Sequence, residues 1–186
     1  VLQRHNALLF YPSQYEGEEQ SPHVFYSGAT PRQQALPAVD YLLDQGRRHF
    51  ILAGTDDVYP RTTNAILKAY LTSRGVPESQ IMELYARFGE RLWREAVERM
   101  AAFGSRGTAA IVSTISGDSN VHFLREYARQ QLSPAFLPVM TLSIGERELA
   151  SLAGVPMEMA AQAAAASIAF GRTVTIPWSV AIGSSS

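Results

Sequence analysis

The chain has 186 residues, 46% of them hydrophobic and 18% charged, with a formal net charge of −1. This is the length of one domain with enough apolar material for a packed core, too little charge for a disordered chain, and no basic surplus to hold nucleic acid or an anionic membrane. The lack of cysteine excludes a disulfide framework, thiolate metal sites and a cysteine nucleophile, and leaves both periplasm and cytosol open.

The opening Val1 to Asn6 carries no charged-then-apolar-then-small pattern of a secretion signal, and a mature or truncated chain would look the same. No apolar run approaches the roughly 20 residues that span a bilayer, so the chain is not expected to be membrane-embedded. Ala7 to Tyr11 reads as a short buried strand stopped by Pro12, which removes a ladder donor. His23 to Ser27 reads as a second strand, ended by Gly28. Thr30 to Gly46 reads as a helix, with Pro31 in its first turn and Ala35, Val39, Leu42 and Leu43 on one face.

Alternation then becomes regular. Phe50 to Gly54 is a strand, and Thr62 to Ser73 a helix with Ala65, Ile66, Ala69 and Tyr70 in register. Ile81 to Tyr85 is a weaker strand, and Arg91 to Phe103 a helix with a stripe of Leu92, Trp93, Ala96, Val97 and Met100. Ala109 to Thr114 is a strand, Asn120 to Gln131 a helix, Leu137 to Leu142 a strand and Glu146 to Leu152 a short helix. Such alternation predicts βαβ units: an α/β fold with a parallel sheet flanked by helices. Beyond it, Met157 to Ala169 is alanine-rich without the bulky residues of a core helix, and residues 155–186 stay unassigned.

Ligands of open α/β sheets sit beyond the carboxyl ends of the strands, so the residues following each strand are the candidates. Tyr11, Ser13 and Gln14 offer donors and acceptors without net charge, which suits a small neutral polar ligand; a plain surface turn is the alternative. Asp56 and Asp57 read as a metal or acid/base pair, or as turn formers and helix caps. No histidine or glutamate cluster accompanies them, so no metal is expected. Tyr59 and Pro60, at the head of a helix, are placed to close over a ligand. Ser116 to Asn120 is no P-loop and has no dinucleotide fingerprint. It reads as N-capping by Asp118 or Ser119, with backbone N–H groups free to meet a ligand carbonyl. Ser143 ends the last clear strand. The four histidines, His5, His23, His49 and His122, share no ligand spacing, and the Gly-x-Ser-x-Gly elbow is absent. No catalytic residue and no cofactor are expected.

Leu9-Phe10-Tyr11-Pro12-x-Gln14-Tyr15-Glu16-Gly17, Tyr26-x-Gly28-Ala29 and Pro37 to Leu42 together resemble the urea and short-chain amide solute-binding proteins of ABC transporters. Gly54-x-Asp56-x-x-Tyr59-Pro60-Arg61-x-x-Asn64, Gly117 to Val121 and Val139-Met140-x-x-Ser143-Ile144 continue the match. A cytoplasmic amide-sensing regulator of amidase operons belongs to the same group. The resemblance implies a two-lobed type I periplasmic-binding-protein fold. Residues 1–29 are then a remnant of the first lobe with the approach to a hinge, and residues 30–154 form the second lobe. It implies ligand contacts at Tyr11 and Ser13 from one side and at Asp57 to Tyr59 from the other. Most of the first lobe is missing by this reading, and an isolated second lobe would expose surface prone to self-association. Where the family often carries an aromatic residue two before Tyr59, this chain has Asp57, which either draws a cationic or donor-rich ligand or points to water.

The expected function is capture rather than turnover. A small polar solute is buried by lobe closure outside the cytoplasm and passed to a membrane permease of an ABC transporter. The ligand set is Tyr11, Ser13, Gln14, Asp57, Tyr59, Pro60, Ser116, Asp118 and Ser143. A cytoplasmic amide sensor is one alternative. An α/β enzyme acting on amides through Asp57 or Asp118 is another, without a nucleophile, metal cluster or cofactor motif to support it.

Overall fold

The computed structural model describes residues 1–13, 21–144 and 151–152. Six strands and four α-helices follow one another: β1 (Leu9–Tyr11), β2 (Val24–Tyr26), α1 (Ala35–Asp44), β3 (His49–Thr55), α2 (Val58–Ser73), β4 (Ile81–Ala86), α3 (Arg94–Gly104), β5 (Ala109–Thr114), α4 (Ser119–Arg129) and β6 (Val139–Thr141). The expected helix from Glu146 and the alanine-rich tail lie outside the described residues.

Among the described residues all strand pairings are parallel, and they fall into two sheets. One is a ribbon of β1 and β2; the other has the order β4-β3-β5-β6. The apolar run of β3 is buried on both faces because a helix layer covers each. Phe50 and Leu52 point to α1 and α2, packing with Val39, Leu42, Leu67 and Leu71. Ile51 and Ala53 point to α3 and α4, packing with Trp93, Val97, Met100, Phe123 and Leu124. This is the two-sided burial that makes parallel strands read as continuous apolar runs. Two large polar side chains in these layers find partners: the Trp93 indole donates to the Glu90 carbonyl at 3.0 Å, and the Tyr127 hydroxyl to that of Leu137 at 2.6 Å.

Several expectations need correction. The strand at Leu9 is not buried: Leu9 is 40% and Phe10 70% exposed, because no helix layer lies over that face of the ribbon among the described residues. Helix α1 starts at Ala35, and Pro31 lies in the turn before it. Helix α2 starts four residues earlier than expected, so Tyr59 and Pro60 belong to its first turn, where a proline's missing N–H breaks no helical bond. Its inner face is Thr63, Asn64, Leu67 and Leu71, while Ala65 and Ala69 are exposed. Before α3, Leu92 is 87% exposed and Trp93 takes the buried position.

Candidate functional site

In the main sheet the chain runs from β3 outward to β4, crosses back over β3, and continues through β5 to β6. The strand order therefore reverses between β3 and β5, and the helices leaving those two strands lie on opposite faces of the sheet. A crevice between such strands, at their carboxyl ends, is where open α/β sheets hold ligands.

The structure closes the floor of this crevice tightly. A Cβ on Gly54 would come within 2.6 Å of Thr114 Oγ1 and 2.7 Å of Pro60 Cβ, so only glycine lets α2 approach β3 this closely. Thr114 donates from Oγ1 toward Asn64 Oδ1 at 3.1 Å and lies 3.2 Å from the Ala53 carbonyl, joining β5 to β3 and α2. Above the floor, the buried Thr55 hydroxyl donates to Asp57 Oδ2 at 2.8 Å and accepts the Ser116 N–H at 3.2 Å. On the β6 side, Asn120 donates its carboxamide N–H to the carbonyls of Ile115 and Ser143, and the Ser143 hydroxyl donates to Ile115 at 2.9 Å. A ligand would thus meet Ser143 Oγ as an acceptor, since its proton is already committed.

Asp57 occupies the N-cap position of α2 with extended backbone, yet its side chain caps nothing. Asp118 holds the same position on α4 and also makes no side-chain cap; its carbonyl instead accepts the Val121 N–H at 3.1 Å. The capping expected of Asp118 or Ser119 is therefore absent, and the Ser119 hydroxyl is buried without a partner among the described residues. Within the Ser116–Asn120 segment, the Ser116 N–H is given to Thr55 Oγ1 and the Asn120 N–H to the Gly117 carbonyl.

Asp56 is exposed and paired with Arg61. Arg61 holds it at 2.7 Å, and that hydrogen bond pulls the carboxyl below its ordinary range. The same guanidinium lies 4.2 Å over the ring of Tyr85, whose hydroxyl is pushed up by burial. Among the described residues no three histidine, cysteine, aspartate or glutamate side chains converge as a metal site, and no helix is long and apolar enough to cross a membrane.

The expected site residues divide between the two sheets. Asp57 and Ser116 meet through Thr55, and Ser143 sits beside Ile115 at the end of β5. Tyr59 is buried in the first turn of α2 with Pro60, and Asp118 is exposed at the start of α4. Tyr11 and Ser13 belong to the ribbon, where Tyr11 is half-buried and meets Tyr26 edge-on at 5.7 Å between centroids, while Ser13 is exposed. Gln14 lies outside the described residues. Thr55 and Phe88 were not anticipated. Thr55 directly follows the buried Gly54, and a hydroxyl at a strand's end is the signal that marks it. Phe88, 68% exposed in the loop after β4, has its ring 3.5 Å from where a Cβ on Gly117 would stand.

Comparison with solved structures shows the same fold at low identity. A solute-binding protein of an ABC transporter from Rhodopseudomonas palustris BisB5, crystallised with 3,4-dihydroxybenzoic acid, superposes with a TM-score of 0.54 at 15% identity, over 70% of this chain and 36% of that one. An ABC-type branched-chain amino acid transporter protein from Rhodopseudomonas palustris CGA009 superposes with a TM-score of 0.57 at 15% identity, over 83% of this chain and 42% of that one. The chain thus spans about two fifths of the length of these proteins. The family model described as periplasmic binding protein domain matches residues 1–175. With parallel sheets, two helix layers and a strand order that reverses between β3 and β5, the chain belongs to the periplasmic binding protein domain family.

Proposed function

We propose that the chain is part of an extracytoplasmic solute receptor that captures a small polar, N–H-rich molecule, such as urea or a short-chain amide, and presents it to the permease of an ABC transporter. The observation that carries this reading is the crevice between β3 and β5. At this point the structure gathers the Asp57 carboxylate and the Thr55 and Ser143 hydroxyls, each hydroxyl with its proton already committed. Acceptor-rich walls suit a ligand that brings its own N–H donors.

In this reading residues 1–29 belong to one lobe and residues 30–154 to the other, the separate ribbon and main sheet being their respective traces. Tyr11, Ser13 and Gln14 approach the solute from the first lobe; Asp57, Tyr59, Pro60, Ser116, Asp118 and Ser143 approach it from the second. Burial of the solute then follows from lobe closure, and no bond of the solute is broken.

A ligand that binds only the folded state stabilises it by mass action, by about 2.7 kcal/mol at a hundredfold excess over Kd. Titration calorimetry of the full-length, two-lobed protein with urea, acetamide and small amino acids, paired with thermal melts, is the test, since in this reading the present chain supplies only part of the contacts and by itself responds weakly or not at all. Heat and a rising Tm with at least one of them, with the solute recovered unchanged, are expected. No heat from any of them, or conversion of an amide by the pure protein, overturns the proposal.

A further inference from the structure

The two adjacent acidic residues after β3 have opposite surroundings. Asp56 is exposed and carries its own cation, Arg61. Asp57 is half-buried and takes part in none of the four ion pairs among the described residues. Nor does it cap α2, whose N-terminus it occupies. Its Oδ2 is held by the Thr55 hydroxyl at 2.8 Å, and Thr55, with its single proton given away, takes the Ser116 N–H at 3.2 Å. The carboxylate is therefore fastened to both strands that flank the crevice, by neutral groups alone. This fixes its direction without neutralising its charge.

We infer that Asp57 is the specificity-determining group of this crevice, and that the preferred solute presents a cationic nitrogen, an ammonium or an amidinium, to its carboxylate. The inference rests on the reading of the crevice as the solute site. A carboxylate accepts hydrogen bonds and donates none, so any ligand group beside it must donate. A neutral amide supplies N–H groups without charge. An amidinium of the same shape supplies N–H groups on both nitrogens together with the charge that Asp57 lacks, and charge-assisted bonds of this kind are roughly twice as strong. Closure over the crevice accentuates the difference, because an unpaired carboxylate removed from water is costly. Asp57 thus ranks a cationic donor above a neutral one of the same shape. Thr55 is a positioning residue that acts through Asp57.

Acetamide and acetamidinium are near-isosteric and differ in charge, which makes them the probes. Calorimetric titration of the full-length protein at neutral pH is expected to show acetamidinium binding at least about tenfold more tightly, as expected of a charge-assisted contact. Asp57→Asn keeps the shape and can still accept from Thr55; it should abolish this preference, the ratio of the acetamide Kd to the acetamidinium Kd falling to about one or below. Thr55→Ser, which keeps the hydroxyl, should retain the preference, with Tm recorded for both variants. Equal or tighter binding of acetamide by the unaltered protein overturns the inference and leaves the receptor reading standing. So does an unchanged preference in Asp57→Asn. Heat from neither probe, nor from urea or small amino acids, removes the receptor reading itself and the inference with it.

Discussion

Phe50 and Phe10 are both phenylalanines in parallel strands, yet Phe50 is fully buried and Phe10 is 70% exposed. The difference lies in what covers each sheet. Phe50 has β4 and β5 as neighbours and α1 and α2 above it. Phe10 has one neighbouring strand among the described residues, and its ring stacks on Phe25 at 5.2 Å, itself 49% exposed. A two-stranded unit is marginal by itself in water. The main sheet is therefore anchored by buried layers on both faces, whereas Tyr11 and Ser13 sit on an element that gains little from its own burial.

The largest effect that separates the two regions is expected at Trp93. Truncating this fully buried indole, Trp93→Ala, should destabilise the chain by about 3–5 kcal/mol. Phe10→Ala should shift the same urea midpoint by less than about 1 kcal/mol, because the ring is largely in water already. If Phe10→Ala costs as much as Trp93→Ala, the ribbon is part of the folding core and the contrast is wrong. A smaller effect sharpens it at the floor of the crevice. Gly54→Ala places a methyl 2.6 Å from Thr114 Oγ1 and 2.7 Å from Pro60 Cβ. Overpacking of this kind costs about 1–3 kcal/mol, read from the same unfolding curves. On the receptor reading solute affinity falls with it, since α2 carries Tyr59 and Asp57 is its N-cap.

The contrast also explains what could be read from the amino-acid order. Strand β5 was legible to the residue, because Ala109–Thr114 is buried throughout and flanked by turn formers. The ribbon was legible as strands and misread as buried, since an apolar run carries no record of whether a second layer covers it. The buried face of α2 was misread for a different reason. It begins with Thr63 and Asn64, polar residues that hydrophobic periodicity discards, and Asn64 belongs inside because Thr114 on β5 donates to it. Thr55 escaped notice because its role depends on Ser116, 61 residues further along, and no local pattern carries that pairing. Asp57 stood out as a departure from a resembling motif. Its attachment to Thr55 required coordinates.

The smallest expected effect asks whether ion pairs contribute to the main sheet's advantage over the ribbon. Glu126 on α4 is held by Arg129 at 2.6 Å, with Gln130 donating at 2.7 Å. The Arg129 bond, ahead of that from Gln130, lowers its carboxyl from the ordinary 4.5 to about 2. A depressed carboxylate stabilises the fold fully above its unfolded pKa and loses that contribution as the pH falls through its folded one. Glu126→Gln should therefore be less stable than the unaltered chain at pH 7, and the gap should narrow from about pH 4.5 and close near pH 2. Arg129 is more than half exposed, so screening limits the gap to about 1 kcal/mol or less. Urea midpoints of both proteins at pH 7, 5, 4 and 3 measure it. A gap that stays constant down to pH 3 would mean that Glu126 contributes through packing alone. A gap of several kcal/mol would mean that the main sheet's stability is more electrostatic than its buried apolar layers imply, and the contrast with the ribbon would then have to be redrawn in terms of charge.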